Sequence, residues 1–238
     1  AMTVAIAKAL LECNGDYTDL SNHAIRCMQE IGQKYPDAGY GLIFYQWLHK
    51  KAPEPYWSYG NGSAMRVSFI GEHFDTLKKV EDEAQKSALC THNHPEGVKG
   101  AQVIAGCGYL AKNGASKKEI KSYVQKKFGY SLNKRLSFYR VFSRFDMSCQ
   151  KSVPLALQCF LESDSWEECI RNVFSVRCDT DTIGAIAGGI ADAYFHGTGF
   201  DEDALLRQFL IKPNKFGAMD PFLYQWAIAK QEESGEPS

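Results

Sequence analysis

The sequence predicts an all-α domain made of many short helices. Three observations carry this reading: apolar residues recur at helical spacing through most of the chain, strand-like alternation is nearly absent, and most joining stretches hold only a few residues.

Met2-Val4-Ile6-Ala9-Leu10 and Ile25-Met28-Ile31 mark two opening amphipathic helices, with Asp19 or Ser21 placed to cap the second. Lys50 to Gly62 carries two prolines and two glycines among tyrosine and tryptophan and reads as an aromatic loop able to line a site. Helical patterns follow over Glu72 to Leu89, Glu96 to Lys112, Lys117 to Phe128, Pro154 to Ser163, Trp166 to Phe174 and Asp179 to Phe195. The pattern is weakest over Ser131 to Cys149. The last helix places Gly184, Ala185, Ala187, Gly188, Gly189, Ala191 and Ala193 on nearly all its faces. Its glycines cost roughly 1 kcal/mol each relative to alanine, so close packing at the molecular centre is expected to compensate.

With 238 residues, 45% apolar and 23% charged, the chain can bury a substantial core, and a single domain over residues 1–230 is expected. Residues 231–238 have the composition of a disordered tail. The formal net charge of -1 provides no global field for nucleic acid or an anionic membrane, so any phosphate binding must be local. The eight cysteines form no Cys-x-x-Cys pair and read as reduced, buried small hydrophobes. No apolar run reaches the roughly 18 residues of a membrane span, and the opening residues lack the basic region of a signal peptide. A soluble, cytoplasmic protein is the expectation.

Three motifs could carry chemistry. Asp179-Thr180-Asp181-Thr182 brings two carboxylates and two hydroxyls onto one turn, an oxygen set suited to Mg²⁺ or Mn²⁺, although Asp179 or Thr180 could equally be a simple N-cap. Gly60-Asn61-Gly62-Ser63-Ala64-Met65-Arg66-Val67 is a glycine turn running into a helix, with Ser63 as cap. Its backbone N–H groups suit phosphate or ribose oxygens, or it is an ordinary loop. In Thr91-His92-Asn93-His94-Pro95-Glu96-Gly97, His92 is either a ligand contact or part of a helix-entry loop. The His-x-His-Pro core suggests a JAMM-type zinc site, but no Ser-x-x-Asp follows and no sheet is expected. The Asp-x-Asp pattern of sugar-nucleotide transferases sits at a strand end, whereas here it opens a helix.

Taken in order, NGSAMRV, THNHPEG and DTDTIGAIAGGIADAYFHG resemble the ADP-ribosylglycohydrolase family, with Ser152-Val153-Pro154-Leu155-Ala156-Leu157 resembling the helix before the last motif. The similarity spans about residues 2 to 197. It implies an orthogonal multi-helix bundle around a cleft that holds two Mg²⁺ or Mn²⁺ ions beside ADP-ribose. Asp179, Asp181 and Thr182 carry over as metal ligands, with Asp181 orienting metal and water in catalysis. Asn61, Gly62, Ser63 and Met65 carry over as the ribose and diphosphate loop, His92 as a diphosphate or ribose contact, and Tyr59 or Trp57 as an adenine-stacking ring.

The implied activity is removal of ADP-ribose from a modified protein or small molecule by a metal-activated water. The family's Thr-Asp-Asp-Thr motif precedes residues like Ala1 to Ala5, so the chain reads as N-terminally truncated relative to the family, with an incomplete two-ion site. Arg177-Cys178 stands where the family usually has Gly-Gly, and Phe69 where proline is common. The alternatives are a non-catalytic or partner-completed ADP-ribose-binding module, or a scaffold that keeps only the helical fold.

Overall fold

Helical periodicity governs the architecture: the computed structural model, which describes residues 1–201 and 204, contains eleven α-helices and two 3-10 turns. Among the described residues the only sheet-like pairing is one antiparallel bridge between Gly60 and Ser148. The expected tail at 231–238 lies outside the described residues, as does the domain boundary at 230.

Helices α1 (Met2–Glu12) and α2 (Leu20–Lys34) pair as the periodicity predicts, burying Ile6, Leu10, Met28 and Ile31. Asp19 occupies the cap position of α2 without capping it, because its carboxylate accepts from the Asn22 amide. Asp16 instead caps the 3-10 turn Tyr17–Asp19. Helix α3 (Leu42–Leu48) precedes the aromatic loop and buries Trp47 and Leu48.

Where one helix is predicted from Glu72 to Leu89, the chain forms two. Helix α4 (Ser68–His73) ends at Phe74, and Thr76 caps a new helix α5 (Leu77–Leu89) by accepting from the Lys79 N–H. The local capping energy of Thr76, about 1 kcal/mol, and burial of Phe74 favour the break over a continuous helix. Helix α6 (Pro95–Lys112) starts at the capping His94 with proline in its first turn.

Helix α7 (Lys117–Phe128) has a full capping box between Ser116 and Glu119 and a left-handed Gly129 at its end. The weakly patterned stretch contains α8 (Leu136–Phe142). Helix α9 (Cys149–Leu161) starts before its predicted bound and carries Pro154 inside it, and α10 (Trp166–Phe174) keeps its predicted bounds.

Helix α11 (Thr180–Phe195) lies at the centre, packed on α4, α6, α9 and α10. A Cβ on Gly189 would stand 3.1 Å from Ser68 Cβ, and one on Gly188 3.2 Å from Ile170 Cδ1. The Gly188 carbonyl accepts from Trp166 Nε1 at 3.2 Å. In the first turns Thr182 and Ile183 are buried, but Ala185 is exposed and a Cβ on Gly184 would meet nothing, so one face there borders open space. All eight cysteines are free, and seven are buried. No helix among the described residues is long and apolar enough to cross a membrane.

Candidate functional site

The start of α11 meets the glycine turn. Asp179 stands at the N-cap position, but its side chain makes no capping hydrogen bond. Its carboxylate accepts instead from Asn61 Nδ2 at 2.9 Å, and the same amide group reaches Ser152 Oγ at 2.9 Å. Both Asn61 and Asp179 are buried.

Burial pushes the Asp179 carboxyl above its ordinary range. The Asn61 hydrogen bond pulls it down, and the neighbouring Asp181 carboxylate pushes it up again. Asp181 is exposed and Thr182 buried, with the Thr182 hydroxyl directed at Met65 Sδ, 3.7 Å away. The predicted residues Asn61, Met65, Asp179, Asp181 and Thr182 therefore gather in one place.

The turn that carries Asn61 is held from two sides. Asn61 N–H donates to the Met147 carbonyl at 2.7 Å and Cys149 N–H to the Tyr59 carbonyl at 2.9 Å, while Cys149 Sγ approaches the Gly60 carbonyl at 3.0 Å. On the other side stands the His92 ring, 4% exposed. A Cβ on Gly62 would lie 3.3 Å from His92 Nε2, a tight approach, whereas one on Gly60 would lie at an ordinary contact distance of 3.6 Å, so Gly62 is the position where a missing side chain eases the fit of the imidazole. Burial, and after it the Arg66 charge, hold the His92 ring well below the ordinary imidazole range, so it is neutral at physiological pH.

Ser63 sits inside the 3-10 turn Asn61–Ser63 rather than capping a helix. It is fully buried and donates to the Gly97 carbonyl at 2.7 Å. Its hydroxyl is thus engaged within the fold. Trp57 and Tyr59 are 61% and 53% exposed and both contact the edge or face of the His94 ring, leaving broad aromatic surface for a flat ligand.

Sequence reasoning missed Ser152, Arg66 and Thr91. Ser152 receives Asn61 and contacts the Asp146 carbonyl at 3.3 Å. Arg66 lies inside the glycine motif, and its charge among apolar neighbours was the available signal; Thr91 begins the histidine motif. A cleft of about 620 Å³ opens beside Ser152, Cys178 and Ile183, edged by Tyr130, Phe138 and Lys151. A second hollow of about 550 Å³ lies at the far end of α9 around Gln158 and includes none of these residues.

Among the described residues neither Asp179 nor Asp181 forms an ion pair with a lysine, arginine or histidine. Two adjacent carboxylates without a balancing cation, beside a hydroxyl, fit the donor preference of a hard divalent ion. No group of three or more His, Cys, Asp or Glu converges among the described residues.

Residues 1–208 match the family model described as ADP-ribosylglycohydrolase. The chain is 29% identical over 255 residues to ADP-ribosylhydrolase ARH3 of Mus musculus, a match covering 82% of this chain and 68% of that protein. It is 28% identical over 255 residues to ADP-ribosylhydrolase ARH3 of Homo sapiens, covering 82% and 69%. A solved ADP-ribosylglycohydrolase-related protein complex superposes with a TM-score of 0.58 at 21% identity, covering 83% of this chain and 70% of that one, which shows a shared fold.

Proposed function

The chain belongs to the ADP-ribosylglycohydrolase family, and on that premise we propose that it is a hydrolase that removes ADP-ribose from a modified protein or small molecule. The bond cut joins the anomeric carbon of ribose to a nitrogen or oxygen of the target. The observation that carries the reading is the Asn61–Asp179 hydrogen bond. A carboxylate that could cap its own helix is committed to the glycine turn, and a second carboxylate stands beside it with no cation.

In this reading the glycine turn and the neutral His92 receive the ribose and diphosphate oxygens. Asp179, Asp181 and Thr182 would hold Mg²⁺ or Mn²⁺, which when bound supplies Lewis-acid polarisation of the oxygens it meets. Asp181, the exposed carboxylate, accepts from the attacking water and orients it toward the anomeric carbon. Asp179 is fixed by Asn61, and Asn61 by Ser152, so the acceptors are set before substrate arrives. Tyr59 or Trp57 stacks on the adenine.

The deciding experiment is thermal melting with ADP-ribose, with and without Mg²⁺ or Mn²⁺, together with release of ADP-ribose from modified protein. A metal-dependent rise in Tm and turnover support the hydrolase. No shift under any condition sinks the ADP-ribose reading. One observation favours a second reading: with no third carboxylate, histidine or cysteine converging on Asp179 and Asp181 among the described residues, the site binds ADP-ribose without turning it over. A melting shift without release of ADP-ribose selects that reading.

A further inference from the structure

Arg66 is 1% exposed, yet no carboxylate meets it among the described residues. Its Nη2 donates to the Ser87 carbonyl and to Thr91 Oγ1, each at 2.9 Å, and its Nε has no acceptor. A buried guanidinium served by two neutral oxygens and, at 4.0 Å, the Cys90 sulfur is costly to keep, which asks for a reason beyond packing.

The reason lies one bond further on. A guanidinium only donates, so Thr91 Oγ1 accepts from Arg66, and the threonine proton has two places to go. The Ala88 carbonyl is 3.5 Å away, at the limit of a hydrogen bond, whereas His92 Nδ1 is at 2.6 Å. The positive charge behind Thr91 also favours a lone pair over an N–H at Nδ1. The proton of the neutral imidazole then sits on Nε2. That atom has no hydrogen-bond partner among the described residues although the ring is almost fully buried, and it is the atom nearest the missing side chain of Gly62, with Gly60 next to it.

We propose that Arg66 and Thr91 are positioning residues that lock His92 in its Nε2–H tautomer, so that the glycine turn offers one fixed N–H donor to an oxygen of the ligand. The ligand assignment rests on the ADP-ribose reading above; the tautomer does not. The free ring is thereby prepared as a donor only, selecting an oxygen acceptor at that point.

The test is ring ¹⁵N spectroscopy of the ligand-free chain, with the His92 signal identified by its loss in His92→Gln. Nδ1 is expected at the shift of an unprotonated, hydrogen-bond-accepting nitrogen, with the proton on Nε2. Thr91→Val should mix the two tautomers and weaken ADP-ribose binding roughly tenfold, about 1.4 kcal/mol, whereas Thr91→Ser should preserve both.

A wild-type ring protonated on Nδ1, or a tautomer unchanged in folded Thr91→Val, overturns the proposal. Should Thr91→Val fail to fold, the wild-type spectrum and Thr91→Ser still decide it. The expected tautomer with no ADP-ribose binding by any form upholds the relay and removes the ADP-ribose assignment instead.

Discussion

Asn61 and Asp179, 118 residues apart in sequence, are joined by a 2.9 Å hydrogen bond between a buried amide and a buried carboxylate. The same amide reaches Ser152, so a single side chain ties the glycine turn to both α9 and the start of α11. Replacing Asn61 with alanine leaves Asp179 buried without this donor and should cost about 1–3 kcal/mol. Urea denaturation at neutral pH, with and without the substitution, measures it. A loss under about 0.5 kcal/mol would mean that water replaces the amide freely.

The buried His92 gives stability a pH dependence whose sign is fixed. Its folded-state proton affinity is depressed by burial and then by Arg66, so the unfolded chain binds a proton first as pH falls below 6.5, the ordinary imidazole value. Its contribution is present above that pH and is lost below it, at up to about 1.4 kcal/mol per pH unit. Unfolding curves of wild type and His92→Gln across this range should diverge, with the variant losing less stability. Parallel curves would show that the ring is protonated in the folded state too.

Two glycines separate the site from the scaffold. Gly71 has a carbonyl, that of Ala105, 2.5 Å from where a Cβ would be, so Gly71→Ala must push α4 from α6 and should cost about 1–3 kcal/mol. At Gly62 the obstacle is only the His92 ring at 3.3 Å. Gly62→Ala should therefore stay near wild-type stability while ADP-ribose affinity falls roughly tenfold, about 1.4 kcal/mol. Calorimetric melting and ligand titration of both variants check the contrast, and unimpaired binding by Gly62→Ala would place the ligand elsewhere.

Asp181 is exposed and forms no ion pair among the described residues, so Asp181→Ala should change intrinsic stability by no more than about 0.5 kcal/mol. In wild type, ligand at a hundredfold excess over its Kd should add about 2.7 kcal/mol. Loss of the metal-dependent part of that gain in Asp181→Ala, read by melting, identifies this carboxylate with the cation. A retained gain would move the cation away from it.

How far the sequence leads depends on how local the deciding physics is. Helices α7 and α10 emerge with their observed bounds because Ser116, Glu119, Gly129 and Ser165 supply nearby start and stop signals. The break between α4 and α5 was missed because it turns on Phe74 finding a buried place beside Tyr17, a partner far away in sequence. Ser63 shows the same limit within the site: a serine after glycine looks like a cap, and only the tertiary approach of Gly97 reveals where its hydroxyl goes. The gathering of Asn61, Met65, Asp179 and Thr182 was legible through the resemblance of ordered motifs. The hydrogen-bonded chain behind His92 was not, since Arg66 reaches the neighbouring pair Thr91 and His92 from 25 residues away.

The bridge between Gly60 and Ser148, with the contacts of Tyr59 to Cys149 and of Asn61 to Met147, means that the glycine turn takes its shape only when distant parts of the chain have met. Contacts of such long sequence separation reward the chain only after the loop-closure entropy has been paid. A nascent or partly collapsed chain thus presents no binding face. On the proposed function, a ligand seated at the glycine turn should therefore shield from proteolysis only molecules in which these segments have met.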